Sequence, residues 1–195
     1  MRNLLMTSFV VLLVVALATP ASAASKMSLS AGADVLLPMG SFSDANSIGF
    51  GGSVRFQYNL TPMAAIGGET GYFVWGGKDF EGVSGPSFKG LPLRAFGKYY
   101  FMPEGKTRFY GMAELGLFFG SSGDVSVNIP GYGTVTGGGG STTGFNFCPV
   151  VGVEIPVSGG KNAVDISVRY DGISVSGGTN GSIAFRVGYN FPLGG

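Results

Sequence analysis

The alternating segment near the C-terminus constrains the fold of this chain more than any other feature. From Gly181 to Phe191, apolar side chains occupy every second position, and small or polar side chains lie between them. A period of two is typical of a β-strand with one apolar and one polar face. Its length suits a tilted strand that crosses a bilayer. A terminal strand leaves an unpaired edge unless it pairs with the first strand. We therefore expect an even number of similar strands that close into a barrel.

The N-terminal residues predict a cleaved signal peptide over residues 1–23. Arg2 supplies the positive charge, Leu4 to Ala18 form the apolar stretch, and Ala21 to Ala23 form a small-residue cleavage site. The mature chain is expected to start at Ala24. Residues 24–195 then have a length that suits one domain, which we expect to be the barrel.

Seven further alternating segments precede the closing one. The eight predicted strands are Met27–Leu37, Ile48–Leu60, Ala64–Trp75, Lys89–Phe101, Arg108–Gly120, Thr143–Val157, Ala163–Val175 and Gly181–Phe191. Short turns follow strands two, four and six, whereas longer polar loops follow strands one, three and five. This asymmetry is typical of transmembrane barrels. The longest loop, Ser121 to Ser141, contains two short alternating stretches and predicts a protruding hairpin.

Charged residues in the predicted strands lie on the polar faces. They are Asp34, Arg55, Glu69, Arg94, Lys98, Arg108, Glu114, Glu154, Asp165, Arg169 and Arg186. An eight-stranded barrel is just wide enough to be filled by side chains. The near balance of acids and bases favours an internal salt-bridge network that fills the lumen. The alternative is a narrow or gated polar path for small solutes.

The same alternation suits two barrels of opposite orientation. A lipocalin keeps apolar side chains inside for a ligand, whereas a membrane barrel turns them outward to lipid. Two groups of aromatic residues near the strand ends favour the membrane barrel, because they resemble interfacial girdles. The turn-side group is Tyr58, Tyr99, Phe101, Phe109, Tyr189 and Phe191, and the loop-side group is Tyr72, Trp75, Phe119 and Phe145. The predicted fold class is an all-β, eight-stranded antiparallel up-and-down transmembrane β-barrel.

Two contacts inside the barrel follow from the predicted turns. Folding strands four and five about their turn places Arg94 opposite Glu114 as a cross-strand ion pair. Folding strands six and seven brings Glu154 near Asp165. A cation is then expected between these two acids, and Arg169 or Arg186 is the candidate.

The composition argues against an enzyme. The chain has no histidine, which excludes mechanisms that use histidine as general base. Cys148 is the single cysteine, and we interpret it as a small inward-facing side chain. The loop acids Asp44, Asp79, Glu81 and Asp124 are too dispersed for a calcium motif. We expect no catalytic residue, metal or cofactor. The net charge of +1 and the lack of a basic cluster also argue against nucleic acid binding.

The chain resembles the small eight-stranded outer membrane barrels of Gram-negative bacteria, of the OmpA/OmpX-like type. The segments that carry this resemblance are Gly32 to Pro38, Gly51 to Tyr58 and the closing segment Gly181 to Phe191. The resemblance implies a bacterial outer membrane location, contact with lipid and a monomer. It also implies that Gly181 to Phe191 is the signal read by the barrel-insertion machinery.

The predicted function is that of a non-enzymatic outer membrane protein with a structural or surface-interaction role. The alternatives are a narrow small-solute channel and, third, a soluble lipocalin-like carrier. Recognition of an external partner would fall on the loops, which are Ser41 to Asn46, Lys78 to Ser87 and Asp124 to Tyr132. These loops carry no binding signature.

Overall fold

The computed structural model describes residues 26–80, 83–101, 107–129, 133–137, 139–157, 162–175 and 178–193. The predicted signal peptide lies outside these residues. Eight long strands form a closed antiparallel barrel in the order β1-β12-β11-β10-β7-β6-β3-β2, and β2 pairs with β1. The elements are β1 Met27–Met39, α1 Ser41–Ala45, β2 Asn46–Asn59, β3 Ala64–Gly77, β4 Asp79–Phe80, β5 Val83–Ser84, β6 Phe88–Tyr100, β7 Arg108–Ser122, β8 Val125–Ile129, β9 Gly133–Gly137, β10 Ser141–Val157, β11 Asn162–Val175 and β12 Gly178–Leu193. No helix in these ranges is long and apolar enough to cross a membrane.

The eight predicted strands are confirmed, and no bound shifts by more than three residues. The barrel closes through β12, which runs antiparallel to β1 from Met27↔Leu193 to Met39↔Gly181. The longest loop folds into the predicted hairpin, because β8 pairs with β9 over its full length. The sequence did not predict the helix α1 or the small β4–β5 ribbon. Both elements are too short to show a period.

The strand length is sufficient for a bilayer. The shortest barrel strands have 13 residues. A strand of this length extends about 43 Å and, tilted by about 45°, rises about 30 Å, which is the thickness of the hydrocarbon core. We call the end of the barrel near α1, β4–β5 and β8–β9 the loop end, and the opposite end the turn end.

Apolar side chains cover the outside of the barrel. On β6, for example, Leu91, Leu93 and Tyr99 are exposed, whereas Arg94, Lys98 and Tyr100 on the other face are buried. The barrel therefore has the orientation of a membrane barrel and the opposite of a lipocalin. The charged Lys89 is an exception, because it is exposed on this outer side at the loop end of β6.

The turn-side aromatic group lies on the outer surface as predicted. Tyr58, Tyr99, Phe101 and Phe109 are exposed, and Tyr189 and Phe191 are half-buried. The loop-side prediction is wrong for one member, since Trp75 is only 1% exposed. Tyr72 and Val74 occupy the outward positions of β3, so Phe73 and Trp75 must face the lumen. Tyr72, Phe119 and Phe145 do lie outside.

Candidate functional site

Twelve charged side chains fill the middle of the lumen, and we call them the charged layer. The acids are Asp34, Glu69, Glu114, Glu154, Asp165 and Asp171, and the bases are Arg55, Arg94, Lys98, Arg108, Arg169 and Arg186. All eleven residues singled out in the sequence belong to it. Eleven of the twelve are buried, and only the Arg108 side chain is partly accessible, at 32%. Six acids therefore face six bases inside one barrel.

Glu69 on β3 has three cationic partners, as many as any acid of the charged layer. One oxygen accepts a hydrogen bond from Arg55 Nε. The other lies 3.1 Å from Arg94 Nη1 and 3.4 Å from Arg169 Nη1. These partners come from β2, β6 and β11, so Glu69 joins opposite walls of the barrel. A buried carboxylate is stabilised only when cations and hydrogen bonds replace the lost water.

Arg94 and Glu114 form the predicted ion pair, but their register differs from the prediction. Arg94 Nη1 lies 2.8 Å from Glu114 Oε2. The directly opposed pairs are Arg94↔Gly116 and Phe96↔Glu114, so the contact is diagonal and two residues away from opposition. The long arginine side chain reaches across this offset. The missing side chain at Gly116 leaves room beside the arginine backbone.

Glu154 and Asp165 are directly opposite each other on β10 and β11, as predicted. The prediction that Arg169 or Arg186 lies between them is wrong. Lys98 lies there, with Nζ 2.8 Å from Glu154 and 3.9 Å from Asp165. Arg186 contacts Asp165 alone of the two, at 3.0 Å, and Arg169 contacts neither. Lys98 can reach this position because only β7 separates β6 from β10 in the closed barrel.

Asp171 completes the charge balance, and it is absent from the eleven predicted residues. Its carboxylate lies 2.9 Å from Arg94 Nη2 and 3.3 Å from Arg169 Nε, and it accepts a hydrogen bond from Asn146. The Cys148 thiol is also 3.4 Å from this carboxylate, so the cysteine faces inward as predicted. The signal for Asp171 was available, since it continues the alternation of Asp165 and Arg169 along β11.

Arg186 lies flat against the wall of the barrel. It donates to Ser30 Oγ at 2.9 Å and to Ser53 Oγ at 2.8 Å. The directly paired glycines Gly32 and Gly188 leave the space, because a Cβ at either position would lie within 2.6 Å of the guanidinium group. A side chain there would have to displace the arginine. The two glycines therefore determine the position of the Arg186 guanidinium group.

Apolar clusters lie on both sides of the charged layer. The outer cluster, at the loop end, contains Leu36, Phe42, Phe73, Trp75, Phe118, Ile173 and Ala184, with Phe88 and Val175 packed against it. The turn-side cluster contains Ala65, Phe96, Tyr100, Tyr110, Met112, Cys148 and Val150. Tyr100 and Tyr110 donate hydrogen bonds to Glu154 and Asp165, so this cluster is joined to the charged layer. Neither cluster was predicted from the sequence.

This arrangement stabilises charge and fills space. Every acid of the charged layer has at least one cation within 4.0 Å. Within the described residues, no group of His, Cys, Asp and Glu side chains is placed to hold a metal ion. The Cys148 thiol donates to the Asp171 carboxylate at 3.4 Å, and this carboxylate is itself paired with Arg94 and Arg169.

The chain is similar in structure to several bacterial barrels. Neisserial surface protein A matches with a TM-score of 0.62 at 18% identity, over 88% of this chain and all of that one. Ail, the attachment invasion locus protein of Yersinia pestis, matches with 0.56 at 16% identity, over 87% of this chain and all of that one. OprG from Pseudomonas aeruginosa matches with 0.52 at 11% identity, over 86% of this chain and 96% of that one.

These identities are low, and they show a shared fold. No protein-family model and no curated protein sequence matches the chain. Ail and OprG are described as outer membrane proteins, in keeping with the predicted bacterial outer membrane location. The lipid-facing outside, the charged inside and the closed eight-stranded topology agree with this likeness. The chain has the fold of the small bacterial outer membrane β-barrels.

Proposed function

We propose that this protein is a non-enzymatic integral outer membrane protein with a structural or surface-interaction role. The observation that carries the proposal is the reversed distribution of side chains. Eleven charged residues are buried within the barrel, while large apolar residues such as Phe50, Leu93 and Val151 are exposed outside. Such an outer surface is stable in lipid and unstable in water.

The filled lumen supports a barrel that does not conduct. The charged layer joins the walls through pairs such as Arg94–Asp171 and Arg55–Asp165. The outer cluster then covers this layer on the loop side. A solute would have to separate several buried ion pairs and several packed aromatic rings to pass. The contacts among the described residues therefore do not support the narrow-channel alternative.

Bilayer recordings test this proposal. Protein refolded in detergent and reconstituted into a planar lipid bilayer is expected to give no steady single-channel steps. The matched control is a variant with Glu69→Ala and Arg94→Ala, which removes two side chains from the charged layer. If the unmodified protein gives steady current steps of a size similar to those of this variant, the result would support the channel alternative. Recovery in an aqueous fraction without detergent would contradict the membrane location.

The closing strand β12 is the proposed signal for insertion of the barrel into the outer membrane. Its outward residues Phe185, Val187, Tyr189 and Phe191 alternate towards the turn end, where Tyr189 and Phe191 pack with ring centroids 4.8 Å apart. Phe191→Ala is expected to slow assembly into vesicles that contain the bacterial insertion machinery. Phe109→Ala is the control, because it removes a similar turn-side aromatic from another strand. Equal rates for both variants would contradict a special role of this strand.

The segments beyond the loop end would carry a surface-interaction role. The structural relative Ail is named for attachment and invasion, and it shares this barrel fold. In our chain, the β8–β9 ribbon is the largest segment outside the barrel. Replacing residues 123–139 by a short Gly-Ser turn is expected to leave the barrel folded and to abolish surface attachment. Attachment that survives this replacement would move the role to the other loops.

A further inference from the structure

The short helix α1 carries one large side chain into the mouth of the barrel. Phe42 is 6% exposed, and its ring meets those of Trp75 and Phe88 edge to face, each with centroids 5.6 Å apart. These rings stand on β3 and β6, whereas α1 lies between β1 and β2. Phe42 therefore completes the outer cluster from outside the barrel wall. Trp75 is buried beneath it.

Few hydrogen bonds attach α1 to the barrel. The helix has five residues and no side-chain N-cap. Lys78 N–H donates to Ala45 O at 3.0 Å from the connection after β3, and Asn46 Nδ2 donates to Phe42 O at 3.1 Å from the start of β2. Gly40, immediately before the helix, has a φ of +56°, and nothing lies within 4 Å of the position of an added Cβ. Glycine adopts this conformation and its alternatives with little strain, and the surrounding space is open.

The closed arrangement also contains an unsatisfied group. The indole N–H of Trp75 is buried and has no acceptor among the described residues. Burying such a donor has a cost of the same order as the gain from burying one phenyl ring. Moving Phe42 away would open a route for water to the indole ring, which Phe42 contacts at the mouth of the barrel. The unsatisfied donor lowers the net cost of this opening, which makes a minor open state accessible.

We propose that α1 is a lid, which moves as a short segment between Gly40 and the irregular start of β2 at Asn46 and carries Phe42 into and out of the outer cluster. In the closed position it seals the charged layer from the external medium. In the open position it presents an aromatic surface, formed by Phe73, Trp75 and Phe88, with one free hydrogen-bond donor. The rest of the barrel keeps its ion pairs in both positions, because Phe42 contacts none of them.

Hydrogen exchange of the indole N–H tests the lid directly. Trp75 is the only tryptophan, so nitrogen-15 labelled protein in detergent gives one indole resonance. If the lid opens as a minor state populated at about 10% or less, this proton exchanges with solvent far faster than the central amides of β12. Exchange of the indole proton only as fast as those amides would overturn the proposal, because opening would then require global unfolding.

A locked variant separates lid motion from other local openings. In a Cys148→Ala background, Ala45→Cys and Lys78→Cys place two thiols on residues that already share a backbone hydrogen bond. We expect the oxidised form to slow indole exchange by at least about tenfold and the reduced form to restore it. Phe42→Ala should accelerate exchange, whereas Phe50→Ala, which removes a lipid-facing ring, should not. An oxidised form that exchanges at the reduced rate would overturn the lid.

Discussion

Removing the charge of Glu69 is the most direct perturbation of the charged layer. Glu69→Gln keeps the size of the side chain and removes one negative charge. In the unmodified protein, the Glu69 carboxylate lies 3.1 Å from Arg94 and 3.4 Å from Arg169, and it also accepts a hydrogen bond from Arg55. The variant leaves five lumen acids against six bases, where there were six of each. Three buried guanidinium groups would lose a shared partner.

The expected cost follows from the distances. At an effective dielectric constant of about 20, a unit charge pair at 3.1 Å attracts by about 5 kcal/mol. The variant no longer has to desolvate Glu69, which offsets part of this loss. Breaking a buried pair by removing one partner costs about 3–5 kcal/mol net. With a urea m-value of about 2 kcal/mol per molar, the unfolding midpoint falls by about 2 M.

Urea unfolding in lipid vesicles, followed by the fluorescence of Trp75, measures this cost. Asp44→Asn is the control, because it removes an acid that is exposed on α1, and it should stay within about 0.5 kcal/mol of the unmodified protein. The double variant with Arg94→Gln should cost less than the sum of the two single variants, since it restores the charge balance. A midpoint for Glu69→Gln that equals that of Asp44→Asn would contradict the stabilising contacts of Glu69 with the three arginines.

Three further changes test other parts of the barrel by the same unfolding assay. Gly188→Ala should lower stability by about 1–3 kcal/mol, because the added methyl group must displace Arg186; no change would mean that the arginine lies elsewhere. Tyr110→Phe should cost about 1.5–3 kcal/mol through the lost hydrogen bond to Asp165, and a neutral result would contradict this contact. Leu93→Arg, on the lipid face, should cost about 2–4 kcal/mol in vesicles; equal stability would place this residue outside the hydrocarbon.

The fold was predictable because β-strands show their period in the sequence. A strand with one lipid face and one lumen face alternates over its whole length, so eight strands and their faces could be read from the chain. The small elements were not predictable for the same reason. The helix α1 has five residues, and no period of 3.6 residues can be recognised over so short a length.

The membership of the charged layer was largely predictable, and its pairing was not. Alternation places Glu154 and Asp165 inside the barrel, and the turn between their strands places them opposite each other. Which cation lies between them depends on walls that are distant in sequence. Lys98 is 56 residues from Glu154 along the chain, yet it is hydrogen-bonded to that acid. Their strands β10 and β6 both pair with β7, and the curvature of the sheet around β7 brings the two side chains together.

The sequence alone determined the number of strands, their faces and the charges that must be buried, because these properties depend on neighbouring residues along each strand. The tertiary structure decided the partners of each charge and the packing of Phe42 over Trp75. These features depend on register, on strand tilt and on the width of the lumen. Each is a relation between strands, and alternation within one strand contains no information about it.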